Sequence, residues 1–258
     1  MKTLGLAVLT LASAFLLSLG SAAIGGSTKP AIVLVHGTWA DGSSWQKVIP
    51  ILQRDGYGVT AVQNPLTSLP DDIATTKRVI DALRGPIVAV GHSYGGAVIT
   101  AAAAGNANVK ALVYLSAFAP EPGEALTAPV AKFAPAPAGA ATITDAAGFV
   151  YLDRAKFRDV FCRDLSIVDA GVMAATQKPV SKTVFGAGAT VASAAWKTIP
   201  SWYIVTSQDR AINPDLQRFY AKRIRAKTTE IRSSHVSFLS HPNEVARVIK
   251  EAAGSTQR

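Results

Sequence analysis

Apolar residues along the chain fall into two patterns that alternate from about residue 31 onward. Short continuous apolar runs are typical of strands buried on both faces of a sheet, and apolar residues at helical spacing are typical of covering helices. The segments predicted to be strands are Ala31–His36, Val59–Val62, Ile87–Val90, Val109–Leu115, Trp202–Thr206 and Thr228–Ile231. The predicted helices are Ser44–Arg54, Asp71–Leu83, Ala97–Ala104, Pro214–Arg225 and Pro242–Ala253. This alternation predicts an α/β fold, a mostly parallel sheet with helices on both faces.

The second predicted helix has recognisable ends. Asp71 or Asp72 is expected to cap its N-terminus, because a carboxylate there can accept the unpaired backbone N–H groups of the first turn. The Gly85-Pro86 pair is expected to stop it, since proline cannot continue a helix.

A segment from about residue 119 to about residue 198 interrupts the strand–helix rhythm. It is rich in alanine, proline and glycine, as in Ala134–Pro137, and its helical patterns, such as Asp153–Val160, are weak. We interpret it as a cap insertion between two core strands of a single domain spanning residues 24–258. Its Ala/Pro stretch is either a lid edge or a simple loop, and the composition favours the loop.

The first 23 residues have the pattern of a signal peptide. Lys2 precedes an apolar run from Leu4 to Leu19, and small residues at Ser21 and Ala23 follow. The alternative is a retained membrane anchor, but the run is shorter than the roughly 20 residues that a spanning helix needs. We therefore expect cleavage after Ala23, no stable membrane anchor, and an exported protein that is periplasmic or secreted in a bacterium.

The formal net charge of +9 raises the question of nucleic-acid binding. The basic residues are scattered, and no basic stripe with interleaved aromatic residues is visible, so a nucleic-acid partner is not expected. The one basic cluster is predicted to be the solvated face and end of a helix; it comprises Lys222, Arg223, Arg225 and Lys227.

Cys162 is the only cysteine, which excludes an intramolecular disulfide, and we expect it to be a buried small apolar residue.

The strongest chemical signal is the segment Gly91-His92-Ser93-Tyr94-Gly95-Gly96. The G-x-S-x-G pattern is weak by itself, but here an apolar strand enters it and a helix of small residues leaves it. That strand–turn–helix context is typical of a nucleophile elbow, in which a tight turn exposes the serine hydroxyl. Ser93 is therefore the predicted nucleophile.

A serine hydroxyl needs a base to accept its proton and an acid to orient that base. In enzymes with a nucleophile elbow, the three residues come along the chain in the order serine, acid, histidine, and the histidine follows the last strand. His235 fits this position, and His241 is the competing histidine. Asp209 follows the preceding strand and is the predicted acid, with Asp215 as the alternative; Asp215 is more typical of a first helical turn.

Two backbone N–H groups are expected to stabilise an oxyanion. One belongs to Tyr94, directly after the nucleophile, and the other to Thr38, in the loop after the first strand, where Gly37 allows close approach. Trp39 and Phe118 lie near strand ends and are candidate substrate-binding residues. Neither a metal-ligand pattern nor a phosphate-binding loop is visible, so no metal and no cofactor is expected.

Together these motifs resemble the α/β-hydrolase superfamily. They are Val33–Trp45, the Gly-His-Ser-Tyr-Gly-Gly elbow, Ser207–Arg210 and Ser234-His235. Within the superfamily the chain is similar to small bacterial esterases related to plant methyl esterases and hydroxynitrile lyases. The resemblance extends from about residue 31 to the C-terminus, with the insertion matching least well, and implies the α/β-hydrolase fold.

The resemblance and the predicted triad imply a serine carboxylesterase that acts on a small-molecule ester. Two alternatives remain: a non-hydrolytic enzyme of this fold, such as a perhydrolase or lyase, and a ligand-binding protein with slow turnover. Hydroxynitrile lyases of this kind carry threonine where Gly37 stands and lysine directly after the catalytic histidine, where this chain has Val236. These departures argue against the lyase.

Overall fold

A computed structural model describes residues 29–186 and 188–256, which form two sheets. The strands in chain order are β1 (Ala31–Val35), β2 (Val59–Val62), β3 (Ile87–His92), β4 (Val109–Leu115), β5 (Thr142–Thr144), β6 (Phe149–Leu152), β7 (Val180–Ser181), β8 (Ser201–Thr206) and β9 (Lys227–Ile231). The larger sheet has the order β2-β1-β3-β4-β8-β9, and every neighbouring pair in it is parallel. The predicted parallel sheet is confirmed.

Helices cover both faces of this sheet, as the sequence predicts. The α-helices of the described residues are, in chain order, α1 (Ile49–Arg54), α2 (Leu69–Ala82), α3 (Tyr94–Ala102), α4 (Arg154–Phe161), α5 (Ile167–Thr176), α6 (Pro214–Arg223), α7 (Ser237–Ser240) and α8 (Pro242–Ser255). Alternate strand residues point to opposite faces. Val33 and Val35 of β1 belong to a core cluster with residues of α2, α3 and α6, and Ile32 and Leu34 belong to a second cluster with residues of α1 and α8.

The predicted helix Ser44–Arg54 is wrong in its first half. A 3-10 turn at Gly42–Trp45 comes first, and the α-helix begins only at Ile49. Pro50 explains the break, because it has no N–H to donate to residue 46 and is tolerated only in the first turn of a helix.

The predicted cap of α2 is also wrong. Ser68 is the N-cap, and its side chain accepts the N–H of Asp71 at 3.2 Å. Asp72 is fully buried instead, where it accepts the N–H of Leu66 at 2.8 Å and the hydroxyl of Tyr94 at 2.7 Å. Ser68 directly precedes the helix, and its backbone is extended, as an N-cap position requires. The cap is therefore the Ser68 hydroxyl and not one of the carboxylates that follow.

The segment between β4 and β8 contains more regular structure than the sequence indicates. Strands β5, β6 and β7 form a small antiparallel sheet there, and helices α4 and α5 follow β6 in the chain. Trp39 connects this segment to the core, since its indole N–H donates to the Val150 carbonyl of β6 at 3.1 Å.

The basic cluster at the end of α6 is not uniformly solvated, contrary to the prediction. Arg223 is largely buried and pairs with Glu124, with an Nη2···Oε1 distance of 3.0 Å. Its guanidinium lies over the rings of Phe219 and Tyr220, which shield it from water. An arginine can be buried in this way because a carboxylate and aromatic faces replace its hydration.

Cys162 is buried, and this burial raises the pKa of its thiol to about 12. None of the helices in residues 29–186 and 188–256 has the length and apolar character needed to cross a bilayer. The predicted signal peptide, residues 1–23, lies outside the described residues and stays a prediction.

Because the six strands of the larger sheet are parallel, the loops after β1, β3, β8 and β9 all emerge at one edge of the sheet.

Candidate active site

Ser93 occupies a sharp turn between β3 and α3. Its backbone has φ 55° and ψ −125°, a conformation that L-residues rarely adopt and that costs about 1–3 kcal/mol. The turn is possible because its flanking glycines lack side chains: a Cβ on Gly91 would lie 2.5 Å from the Gly95 carbonyl oxygen, and one on Gly95 would lie 2.5 Å from the Val35 carbonyl oxygen. The strand, the strained serine and the helix together form the predicted elbow.

The backbone of Ser93 is fixed, whereas its hydroxyl is free. Its N–H donates to the Leu115 carbonyl at 3.0 Å, and its carbonyl accepts the N–H groups of Gly96 at 3.0 Å and Phe118 at 3.1 Å. Within the described part of the chain, the Ser93 hydroxyl makes no hydrogen bond. A rigid backbone that carries an unpaired hydroxyl suits a group that reacts with a bound molecule.

His235 and Asp209 form a buried pair at the same edge of the sheet. Nδ1 of His235 lies 2.6 Å from Oδ2 of Asp209. A carboxylate only accepts hydrogen bonds, so Nδ1 carries the proton and Nε2 keeps its lone pair. Asp209 accepts four further hydrogen bonds, from the N–H groups of Ala211 (2.7 Å) and Ile212 (3.0 Å), the Thr206 hydroxyl (3.0 Å) and the Gln217 amide (2.7 Å).

His92 connects the elbow to His235, a function that sequence reasoning missed. Its Nε2–H donates to the backbone carbonyl of His235 at 3.0 Å, and the two imidazole rings lie 4.5 Å apart. Burial among Trp45, Phe238 and His235 holds the pKa of His92 well below its ordinary value, so this imidazole is neutral. The residue next to the nucleophile therefore contacts the predicted base.

The loop after β1 lies directly against Ser93. A Cβ on Gly37 would lie 2.6 Å from Ser93 Cβ and 3.1 Å from its Oγ. Neither the Thr38 N–H nor the Tyr94 N–H has an acceptor among the described residues, although both residues are buried. The Tyr94 N–H lies in the first turn of α3, where N–H groups have no partner within the helix, and the Thr38 N–H directly follows Gly37, which packs against Ser93. Two unpaired N–H groups on the segments that flank a nucleophile are what an oxyanion-binding site requires.

His36 orients the peptide that carries the Thr38 N–H. Burial lowers the pKa of His36 to about 4, so its ring is neutral. Nε2 accepts the Asn64 N–H at 3.1 Å, which leaves the proton on Nδ1, and Nδ1 lies 2.8 Å from the Gly37 carbonyl oxygen. In a trans peptide the C=O and the N–H point in opposite directions. Holding the Gly37 carbonyl on the His36 side therefore directs the Thr38 N–H away from His36.

The side chain of Tyr94 does not face the candidate site. Its hydroxyl donates to Asp72 on α2, and the ring packs edge-on against Phe185 at 5.8 Å. Burial raises the pKa of Asp72. Tyr94 thus ties the start of α3 to α2, and only its backbone N–H is available to a ligand.

The two candidate substrate-binding residues line separate cavities. Trp39 borders a cavity of about 290 Å³ beside α5, and its ring packs at 6.1 Å against Phe161, which itself lies 5.0 Å from the His235 ring. Phe118 borders a smaller apolar cavity of about 50 Å³. Neither cavity is lined by Ser93, Asp209 or His235. The described structure therefore does not bring Trp39 and Phe118 into one pocket.

The competing residues lie elsewhere. Asp215 is exposed in the first turn of α6 and pairs with Arg218 at 2.7 Å. His241 precedes α8, and its Nδ1 lies 2.9 Å from the Ser240 hydroxyl. Among the described residues, no group of three histidine, cysteine or acidic side chains is arranged to hold a metal ion.

We expect Gly37→Ala to lower the free energy of unfolding by about 1–3 kcal/mol, because the added methyl group overlaps the Ser93 side chain. Gly58→Ala is the matched control, since no atom lies within 4 Å of its added Cβ and its φ is not in the left-handed region. That change should be neutral or stabilise by up to about 1 kcal/mol. Urea unfolding of the three proteins tests this, and equal midpoints for the two variants would contradict the close packing.

The chain resembles known proteins over most of its length. The model of the alpha/beta hydrolase family matches residues 32–248. An alpha/beta hydrolase, nvfD, from Aspergillus novofumigatus is 29% identical over 249 residues, covering 88% of this chain and 97% of the relative. The carbendazim hydrolyzing esterase of Nocardioides is 34% identical over 116 residues, covering 40% of this chain and 48% of that protein.

Among solved structures, polyneuridine aldehyde esterase superposes with a TM-score of 0.75 at 22% identity, covering 86% of this chain and 98% of that one. At this identity the superposition supports the fold alone. The family match spans most of the chain and includes Ser93, Asp209 and His235. The chain therefore belongs to the alpha/beta hydrolase family.

Proposed function

We propose that this hydrolase is a serine carboxylesterase, which cleaves small-molecule carboxylic esters through an acyl-enzyme. One observation carries the proposal: an unpaired serine hydroxyl, held at positive φ, whose neighbour His92 contacts a buried histidine–carboxylate pair. This arrangement supplies a nucleophile, a base with a free Nε2 and an acid that fixes the tautomer of the base.

In the first half of the proposed reaction, the Ser93 oxygen adds to the ester carbonyl carbon while its proton passes to Nε2 of His235. The carbonyl oxygen becomes an oxyanion, which the N–H groups of Thr38 and Tyr94 stabilise. Collapse of this intermediate breaks the bond to the alcohol oxygen, and His235 returns the proton to the leaving alcohol. Ser93 is then acylated.

In the second half, water attacks the acyl carbon and gives its proton to His235. The tetrahedral intermediate collapses, the Ser93 oxygen leaves and takes the proton back from His235, and the carboxylic acid is released. Asp209 keeps its charge throughout and stabilises the imidazolium that forms in each half. Five hydrogen-bond donors already surround its carboxylate, so it needs no rearrangement during the reaction.

Two local features favour ester hydrolysis over cleavage of a cyanohydrin. A threonine at position 37 has no room, because even a Cβ there lies 2.6 Å from Ser93 Cβ. The residue after His235 is Val236, which is apolar and fully buried. A cyanide leaving group would therefore find no cation directly after the base. The names of the carbendazim hydrolyzing esterase and polyneuridine aldehyde esterase add support for an ester substrate.

The proposal is tested by giving the purified protein p-nitrophenyl acetate and mandelonitrile in parallel. We expect release of nitrophenolate, with a rapid first phase of about one equivalent per protein if deacylation is slower than acylation. No benzaldehyde should form from mandelonitrile. Benzaldehyde release without ester hydrolysis would replace the esterase by a lyase, and no reaction with either compound would favour a ligand-binding protein.

A further inference from the structure

The two residues that precede His235 are held by a carboxylate from the insertion. Ser233 and Ser234 are buried in the loop after β9, and Asp164 approaches them from the turn between α4 and α5. Oδ2 of Asp164 accepts the Ser233 hydroxyl and the Ser234 N–H, both at 2.9 Å, and Oδ1 accepts the Ser234 hydroxyl. One side chain thus fixes both residues directly before His235.

The same loop is joined to the loop that carries Asp209. The N–H of Gln208 donates to the Ser233 carbonyl at 3.1 Å, and Gln208 directly precedes Asp209. The Ser233 hydroxyl also lies 3.0 Å from the Ser240 hydroxyl at the end of α7. Ser233 therefore contacts both the loop that carries Asp209 and the end of α7, and it lies in the loop that carries His235. Asp164 binds Ser233 from the insertion.

The Asp164 carboxyl group is ionised, so both of its oxygens accept hydrogen bonds from the two serines. Burial raises the pKa of its carboxyl group, but hydrogen bonds from the side chain and backbone of Ser234 and from the Ser233 hydroxyl outweigh it, so the pKa lies below its ordinary value. An ionised carboxylate accepts at both oxygens and bonds more strongly than a neutral acceptor.

We propose that Asp164 is a positioning residue: its carboxylate fixes Ser233 and Ser234 so that the His235 imidazole keeps its alignment with Asp209. The proposal rests on the proposed function and adds that the insertion contributes to the active site through Asp164. The side chain touches neither the substrate nor the reacting atoms. It acts on the backbone from which His235 projects, and a shift of about 1 Å in such a group can reduce turnover by about 100-fold.

Three variants separate positioning from a general effect on folding. Asp164→Ala removes both carboxylate oxygens that accept hydrogen bonds from Ser233 and Ser234. Asp164→Asn is the conservative variant, since its oxygen can replace Oδ2 and its NH2 group can donate to the Ser234 hydroxyl. Asp145→Ala is the matched control, because Asp145 also lies in the insertion and accepts two backbone N–H groups, those of Ala147 and Phe149, away from the His235 loop.

Two properties are measured on each full-length protein after thermal unfolding has confirmed that it is folded. One is kcat and KM for p-nitrophenyl acetate. The other is the NMR resonance of the His235 Nδ1 proton, which we expect far downfield because the hydrogen bond to Asp209 is short. The resonance does not depend on ester hydrolysis, so it tests the alignment of His235 even if the wild-type protein hydrolyses no ester and the proposed function fails.

Asp164→Ala is expected to lower kcat by about 10- to 100-fold with KM nearly unchanged, and to broaden or remove the His235 resonance. Asp164→Asn should restore most of both, and Asp145→Ala should change neither. The proposal is overturned if Asp164→Ala keeps the wild-type kcat and resonance, or if it lowers only the melting temperature.

Discussion

Ser93→Ala is expected to reduce turnover of an activated ester by about 10⁴- to 10⁶-fold. The triad acts as a unit, so removing the nucleophile leaves only the contribution of substrate binding and the oxyanion donors. The variant should fold normally, because alanine and serine are similarly strained at φ 55° and the hydroxyl makes no hydrogen bond among the described residues. Steady-state rates with p-nitrophenyl acetate, together with circular dichroism, test both parts.

The control for Ser93→Ala is Ser43→Ala. Ser43 is an exposed serine whose hydroxyl donates to Asp41 at 2.5 Å, beside the cavity that Trp39 borders. Its loss should leave turnover within about two-fold, since an exposed side-chain bond contributes little. Ser93→Ala activity above about a tenth of the wild-type value would remove Ser93 from the mechanism.

Asp209→Asn is expected to lower turnover by about 10³- to 10⁴-fold while KM changes little. The amide oxygen can still accept the N–H groups of Ala211 and Ile212, but the NH2 group then faces the Gln217 amide and His235 Nδ1. To accept from this NH2 group, the imidazole must move its proton from Nδ1 to Nε2. Nε2 can then no longer accept the proton of Ser93.

Asp215→Asn is the matched control for Asp209→Asn. Asp215 is a carboxylate of the same chemistry six residues further along, but it is exposed and pairs with Arg218 on the surface of α6. A surface pair of this kind contributes about 0–1 kcal/mol, and its loss should not affect turnover. If Asp215→Asn loses most of its turnover while Asp209→Asn keeps nearly the wild-type value, the acid is misassigned.

The core of the fold was predictable because its signals are local. Strand β1 is a continuous apolar run and β3 begins as one, and each loop that carries Ser93, Asp209 or His235 follows a predicted strand. Parallel strands bring such loops to one edge whatever the details of the helices. The order of motifs along the chain therefore contained most of the information about the site.

The errors arise where a nearby residue decides between alternatives that the pattern leaves open. Ser68 rather than an aspartate caps α2, and Pro50 divides the first predicted helix. The small antiparallel sheet of the insertion was missed because β5 has only three residues, all exposed, and β7 has only two. Strands this short have no periodicity to recognise.

Contacts between distant parts of the chain could not be predicted from one sequence. His92 was recognised only as a residue of the elbow, yet it binds the backbone of His235, 143 residues away. Asp164 gave no signal at all, because its partners Ser233 and Ser234 are about 70 residues further along. Arg223 was expected in solvent because its partner Glu124 lies 99 residues earlier.

The central claim is that Ser93 is an activated nucleophile, and covalent labelling tests it most directly. The wild-type protein is incubated with a fluorophosphonate, digested and analysed by peptide mass spectrometry, beside Ser93→Ala and Asp209→Asn. The account predicts one phosphonyl group per wild-type protein, located on Ser93, much slower labelling of Asp209→Asn and none of Ser93→Ala. A label on another residue, or equal labelling of wild type and Ser93→Ala, would contradict it.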